Sequence, residues 1–323
     1  MANPIRVTTM LSTFLLKRLT LLIPVLFGMS VVSFSLVHLI PGDVVTVIAG
    51  AEIAADSEEA MNIRRSLNLD LPLPVQYLRW ITDVLQRDLG MSLVNKSSVG
   101  QEIVGHIPVT LALTGIAMLI SVIIGIPAGV WAASRQGRPS DFSLRIFSLA
   151  GMAIPTFVAS VTAVLFFSLF FPQVQLFDRL DFANDFHGAI GTLLLPAAVL
   201  SLSSISTIMR YTRGAMLEVM REPYITTARA KGAAPMRILL KHGLRTALLP
   251  VVTASGLIAA QLISGVVVVE QVFGLPGLGQ LMLSAISSRD YTLIQGTVIV
   301  VGAMVVLINL AVDLAYQFLD PRI

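Results

Sequence analysis

Pro108-Val109-Thr110-Leu111-Ala112-Leu113-Thr114-Gly115-Ile116-Ala117-Met118-Leu119-Ile120, continuing without a charge as far as Ser134, decides the class of fold. The run exceeds the ~18–20 apolar residues needed to cross a ~30 Å hydrocarbon core. It lacks sheet-like alternation, so a helix, which satisfies its own backbone groups, is the expected spanning structure. Working outward gives comparable runs at about 19–40 on one side and 146–171, 189–209, 247–273 and 292–318 on the other. The expectation is an all-α membrane protein with six transmembrane helices.

Composition agrees with that class. Of 323 residues 55% are apolar and 13% charged, against the ~25% charged usual in soluble domains. There is no cysteine, which excludes disulfides, thiolate zinc sites and cysteine nucleophiles. The four histidines are scattered, so no metal site is expected.

Lysine and arginine set the orientation. With the N-terminus inside, the cytoplasmic side holds Arg6, Lys17, Arg18, Arg135, Arg138, Arg145, Arg210, Arg213 and Arg221. Arg229, Lys231, Arg237, Lys241, Arg245 and Arg322 complete 15 of the 22 basic residues. Most acids fall outside, among them Asp43, Glu52, Asp56, Glu58, Glu59, Asp70, Asp178, Asp181 and Asp185. Both termini are therefore expected in the cytoplasm. A cleaved signal peptide is the rival for the first run, but residues 19–40 outlast a ~7–15-residue signal core. Pro41-Gly42-Asp43 also separates that run from Ala49-Gly50-Ala51.

Residues 41–107 form the one sizeable segment expected outside the membrane. Val75, Leu78, Ile81 or Thr82, and Leu85 recur at helical spacing, with Pro72 and Pro74 before them and Asp88-Leu89-Gly90 after. A short amphipathic helix packed on the outer membrane surface is expected. It serves either as a structural cap or as a docking surface for an outer partner.

The polar counterpart is Arg221-Glu222-Pro223-Tyr224-Ile225-Thr226-Thr227-Ala228-Arg229-Ala230-Lys231-Gly232. Pro223 suits the first helical turn and Gly232 the left-handed position that ends a helix. About nine residues, roughly 13 Å of helix, are expected between them. Pro235 opens a second helix, with Met236, Leu239, Leu240, Gly243, Leu244 and Ala247 on one face and Arg237, Lys241 and Arg245 in a stripe. That helix is expected in the membrane interface until Pro250 turns it into the fifth span. Two readings stand on the residues alone: basic groups facing anionic lipid, or a projecting helix that docks a protein.

Other polar residues in the spans have structural readings. Glu270 is expected to fix the glycine-rich loop after it, Asp313 to be hydrated or paired near the cytoplasmic end, and His38 to be interfacial. Pro127 and Pro155 are expected to kink their helices. Ser201, Ser203, Ser204 and Ser206 fit close helix packing. A secondary transporter would need buried carboxylates or an internal repeat, and neither stands out. An intramembrane hydrolase would need a nucleophile and a base, yet neither His-Glu-x-x-His nor Gly-x-Ser-x-Gly occurs.

The basic stretch resembles the cytoplasmic loop of ABC importer permeases in the dipeptide, oligopeptide and nickel branch. There a Glu-Ala-Ala motif, three residues and a glycine form a coupling helix seated in a groove of an ATPase subunit. Counted back from Gly232, those positions are Thr226, Thr227 and Ala228, so only Ala228 and Gly232 match the general pattern. The wording from Thr227 to Gly232 and from His242 to Pro250 is similar to the peptide branch. So are Pro41-Gly42-Asp43, Leu67-Asn68-Leu69-Asp70, Gln76-Tyr77 with Trp80, and Asp88-Leu89-Gly90-Met91-Ser92. Pro108-Val109-Thr110-Leu111, Glu270-Gln271-Val272-Phe273 and Pro276-Gly277-Leu278-Gly279 fit the same branch.

The resemblance implies a type I importer permease fold with a helical insertion outside the membrane between the first two spans. Residues 1–40 would hold the cytoplasmic N-terminus and first span, 41–107 the insertion, 108–318 the core domain with its coupling loop at 210–246, and 319–323 the tail. It implies contact with an ATPase through Glu222, Tyr224, Thr226, Thr227, Ala228, Arg229, Lys231 and Gly232. With threonine in place of the motif glutamate, that contact rests on shape, Gly232 and the charges of Arg229 and Lys231. Implied partners are a homologous second permease in a heterodimer, two ATP-binding subunits, an extracytoplasmic binding protein and membrane lipid, with no nucleic acid. The chain has no Gly-x-x-x-x-Gly-Lys-Ser/Thr loop, so ATP and Mg are expected on the partners and no cofactor here. The implied cargo is peptide in a bacterial inner membrane, with nickel or another small solute as the alternative.

Overall fold

The computed structural model describes residues 20–36, 57, 61, 70–173, 180–182 and 184–319. Among them every regular element is helical, beside one bridge that pairs Met91 with Ser98. Expectations for residues 1–19, His38, Pro41-Gly42-Asp43, Leu67-Asn68-Leu69 and Arg322 lie outside the described residues, as does the side chain of Asp313.

In chain order the helices are α1 Thr20–Leu36, α2 Leu73–Leu85, α3 Val99–Ser134, α4 Pro139–Ala153 and α5 Thr156–Phe170. They continue with α6 Phe186–Val219, α7 Pro223–Ala230, α8 Pro235–Phe273, α9 Leu278–Ser287 and α10 Tyr291–Leu319. By length and composition α3, α6, α8 and α10 can each cross a membrane, and the bent pair α4–α5 makes a fifth candidate.

The chain divides into two compact units, Met1–Ile107 with Leu281–Val306, and Pro108–Gln280 with Leu307–Ile323. In the first, α2 lies along α1. The Tyr77 ring meets Phe27 and Phe34 edge-on, Trp80 tilts against Phe34, and the hydroxyls of Tyr77 and Ser30 are 2.7 Å apart. These aromatic residues lie beside the apolar stripe read from the sequence. Gln76, Tyr77, Trp80, Ile81 and Val84 are half-buried, whereas Val75, Leu78 and Leu85 are exposed. The aromatic rings offer more contact area than the leucines, and they decide which side turns inward.

In the second unit, α6 and α8 carry the core, with Leu193, Ala197, Leu200, Ile208, Val251, Ile258, Leu262 and Val266 buried between helices. Small residues let the backbones approach. A Cβ on Gly129 would lie 2.6 Å from the Met209 carbonyl oxygen, and one on Gly125 3.1 Å from that of Ile205. Ser201, Ser204 and Ser206 are buried; Ser201 and Ser206 bond to their own helix and Ser148 donates to the Ser206 carbonyl at 2.9 Å. Ser203 is exposed.

Four boundaries differ from expectation. The run at 146–171 is two helices bent by 100°. Pro155 lacks an N–H and drives Ile154 into the extended region, ψ 118°. Pro108 lies inside α3, which starts nine residues earlier at Val99, where Val99 and Ile103 are buried. Pro127 lies inside α3 as well. Pro250 leaves α8 continuous instead of turning it. Last, α6 runs ten residues past Met209 to Val219, because Arg210, Arg213 and Glu218 oppose hydrocarbon but, like Met216 and Leu217, favour helix.

Candidate functional site

α7 is framed as its proline and glycine predict. Pro223 takes the first helical position and Glu222, extended at ψ 144°, precedes it without a side-chain cap. At the other end Gly232 has φ +77°. Its N–H donates to the Arg229 carbonyl at 3.0 Å, and the Ala233 N–H donates to the Ala228 carbonyl at 3.2 Å. That pair of bonds is a Schellman closure, and it needs a left-handed residue at position 232.

One side chain anchors the helix. Ile225 is fully buried, while Glu222, Tyr224, Thr226, Thr227, Arg229, Lys231 and Gly232 are exposed and Ala228 is half-buried. Tyr224 is tethered at its tip, where its hydroxyl donates to Thr246 Oγ1 at 3.2 Å. Thr227 Oγ1 donates back to the Pro223 carbonyl at 3.1 Å. No protein atom lies within 4 Å of where a Gly232 Cβ would stand. The sequence-predicted residues thus form one open face around a single apolar anchor.

The support beneath α7 differs from a regular amphipathic helix. α8 opens with an α-turn at Pro235–Arg237 and then runs as π-helix over Ile238–Leu244. Along it Ile238, Gly243 and Ala247 are buried, Leu239 and Leu244 half-buried, and Met236 and Leu240 exposed. Gly243 lets Met216 and Met220 of α6 approach, since a Cβ there would stand 3.1–3.2 Å from Met216 Cε and Met220 Sδ. Arg237, Lys241 and Arg245 are all exposed, as the stripe predicts.

The extension of α6 is clamped close to the same place. Arg213 donates from Nε to Asp141 Oδ1 at 2.7 Å and from Nη2 to Oδ2 at 2.8 Å. Asp141 also accepts from the Gly137 N–H at 3.1 Å, with Gly137 at φ +77°. This pair joins the first turn of α4 to the segment of α6 that leads into α7. The sequence analysis missed it. Its signal was Asp141 as the one acid among Arg135, Arg138 and Arg145, just after Pro139 at a helix start.

Glu270 closes the far end of α8. It is fully buried and accepts from Thr110 Oγ1 at 2.6 Å, Gly279 N–H at 2.7 Å and Gln280 N–H at 3.2 Å. The Leu278 N–H donates to Thr110 Oγ1 at 2.8 Å. The carboxylate thereby caps α9 at its positive end, and Gly277 leaves it room. Its expected role of fixing the loop is what the geometry shows.

A similar node in the first unit was also missed. Buried Asp290 accepts from Ser92 Oγ, from Leu93 N–H at 3.2 Å and from Leu293 N–H at 3.2 Å. It caps α10 and pins the Asp88–Ser92 turn, whose Gly90 has φ +81°. An aspartate three residues before that N–H was a readable N-cap.

Among the described residues no group of three or more His, Asp or Glu side chains could hold a metal. α7 thus presents an exposed face carrying Arg229 and Lys231 above the buried Ile225.

Comparison with known proteins identifies the relatives of the chain. The family profile described as "Binding-protein-dependent transport system inner membrane component" matches residues 125–323. Its N-terminal companion, "Binding-prot-dependent transport system membrane comp, N-term", matches residues 10–114. The chain is 39% identical over 331 positions to the di/tripeptide transport system permease protein DppB of Pseudomonas aeruginosa, covering 96% of this chain and 98% of that one. It is 37% identical over 333 positions to the dipeptide transport system permease protein DppB of Escherichia coli, at 96% and 98% coverage. In fold it is similar to a chain of the inward-facing MetNI methionine ABC transporter, with a TM-score of 0.54, 22% identity, and 68% of this chain and 97% of that chain covered.

Proposed function

Since the chain belongs to the family of binding-protein-dependent transport system inner membrane components, we propose that it is the peptide-translocating permease subunit of an ATP-driven importer. The observation that carries this reading is similarity along nearly the whole chain to two dipeptide-type permeases. The chain is a transport subunit rather than an enzyme, and ATP hydrolysis belongs to partner subunits. It resides in the inner membrane and crosses it several times.

The finer reading is six crossings: α1, α3, the α4–α5 pair, α6, α8 and α10. The apolar run at 19–40 and the 17 helical residues of Thr20–Leu36 support counting α1. Arg135, Arg138, Arg210, Arg213 and the α7 charges then face the cytoplasm, with both termini. Length supports the placement of α7. The 34 residues of α6 reach about 51 Å at 1.5 Å per residue, roughly 20 Å beyond a ~30 Å core.

α7 is the coupling helix. Its exposed face, with Thr226, Thr227, Arg229, Lys231 and the open surface at Gly232, seats in a groove of an ATP-binding subunit. Ile225 fixes it to the α8 base, so motion of that subunit moves α6 and α8 as rigid levers and switches the pathway between its two faces. A homologous permease completes a heterodimer, and an extracytoplasmic binding protein delivers peptide. The test is isolation of the assembled complex. Co-purification of ATP-binding subunits and a peptide-loaded receptor is expected; a chain that purifies alone and still transports contradicts the assignment.

A further inference from the structure

A groove of about 580 Å³ opens between the last turns of α3 and the first turns of α8, and coupling makes no use of it. Val130 and Trp131 of α3, with Arg135 just past its end, form one wall; Met236, Leu240 and Leu244 of α8 line the other. Three of these apolar side chains are left open, with Trp131 55%, Met236 65% and Leu240 49% exposed.

We propose that this groove binds an anionic phospholipid, with an acyl chain along Trp131, Met236 and Leu240 and its phosphate on Arg135. The inference rests on the orientation proposed above, which puts the Arg135 end of α3 at the cytoplasmic leaflet.

The first argument is shape. Met236 and Leu240 at the start of α8 stand exposed beside Trp131, and together they leave an apolar trough. The second is charge. The Arg135 guanidinium stands 5.5 Å from the centroid of the Trp131 ring, which holds a cation at the mouth of the trough. Arg237 and Lys241 each follow a groove residue by one position and are exposed. No aspartate or glutamate occurs from Pro223 to Val269. A protein partner with an apolar ridge would fill the trough but leave these cations without a counter-charge. A phospholipid answers both, and a basic pocket between helices on this side of a membrane is where such headgroups bind.

The test uses the assembled complex in nanodiscs of phosphatidylglycerol and phosphatidylcholine with matched acyl chains, followed by native mass spectrometry of retained lipid. The wild-type complex should retain phosphatidylglycerol preferentially. Arg135→Gln should lower that preference about fivefold, the share of one basic group at an anionic surface. Arg138→Gln, a nearby exposed cation outside the groove, should leave it unchanged, and Leu240→Trp should reduce retention of both lipids. A photo-crosslinker at Met236 in an otherwise unaltered chain should capture lipid. Equal retention of the two lipids, identical behaviour of the Arg135 and Arg138 variants, or crosslinking into a protein subunit overturns the proposal. Co-purified ATP-binding subunits and substrate-driven hydrolysis report separately on the coupling reading, so the two can fail independently.

Discussion

Arg213 grips both carboxylate oxygens of Asp141, at 2.7 and 2.8 Å, and so ties the first turn of α4 to the part of α6 that leads into α7. Asp141 is buried, so the guanidinium fork is also its shelter from an uncompensated charge.

Removing one partner should therefore hurt more than the pair's own attraction implies. Arg213→Ala is expected to destabilise the complex by about 3 kcal/mol, the cost of stranding a buried carboxylate. Asp141→Asn, which keeps the shape and removes the charge, should cost less. Thermal unfolding of the detergent-purified complex measures both, and equal Tm values for Arg213→Ala and wild type would contradict the account.

The Glu270 node gives a second expectation. Thr110→Val removes a donor to the carboxylate and the acceptor for the Leu278 N–H. Two buried groups lose a partner, at about 1–3 kcal/mol each. Gly277→Ala places a methyl group against the same carboxylate. Both variants should expose the Gly274–Gly277 loop to protease while leaving α7 intact. Unchanged cleavage in both would show that the node does not hold the loop.

These nodes mark where reading the sequence stopped. The long apolar runs and the Pro223–Gly232 punctuation are local signals, and they placed α3, α6, α8, α10 and α7. The break at Pro155 was read as a kink, since a proline removes one helical hydrogen bond but does not by itself decide whether the helix bends or breaks. Hydropathy ended α6 at Met209 because it measures affinity for hydrocarbon, while the helix persists on propensity and on packing with Gly243. The partners of Asp141, Glu270 and Asp290 lie 72, 160 and 198 positions away, and no local pattern encodes such pairs. On α2 periodicity shows the apolar stripe, but the contact with α1 is made by the aromatic residues beside it.

Gly232 is required by its conformation and not by crowding. With φ +77° and free space at the Cβ position, Gly232→Ala should cost about 1–2 kcal/mol of local strain, and Gly232→Asn less, since asparagine tolerates the left-handed region. Transport per ATP hydrolysed should fall in the order glycine, asparagine, alanine. Equal coupling in all three would remove the Schellman closure from the account.

Ile225 should act on the pose of α7 without touching its charges. Ile225→Ala empties a fully buried site, a change worth about 2–4 kcal/mol in well-packed cores. The expected readout is weaker retention of the ATP-binding subunits during purification. Wild-type retention would mean that α7 holds its position without this anchor.

The central claim is that α7 conveys ATP hydrolysis to the membrane helices through its exposed cationic face. The direct measurement is receptor- and peptide-driven ATP hydrolysis by the reconstituted complex carrying Arg229→Glu and Lys231→Glu. The account predicts that stimulation by loaded receptor is lost together with peptide uptake, while the chain still folds and inserts. Undiminished substrate-driven hydrolysis with normal uptake in that variant would contradict it.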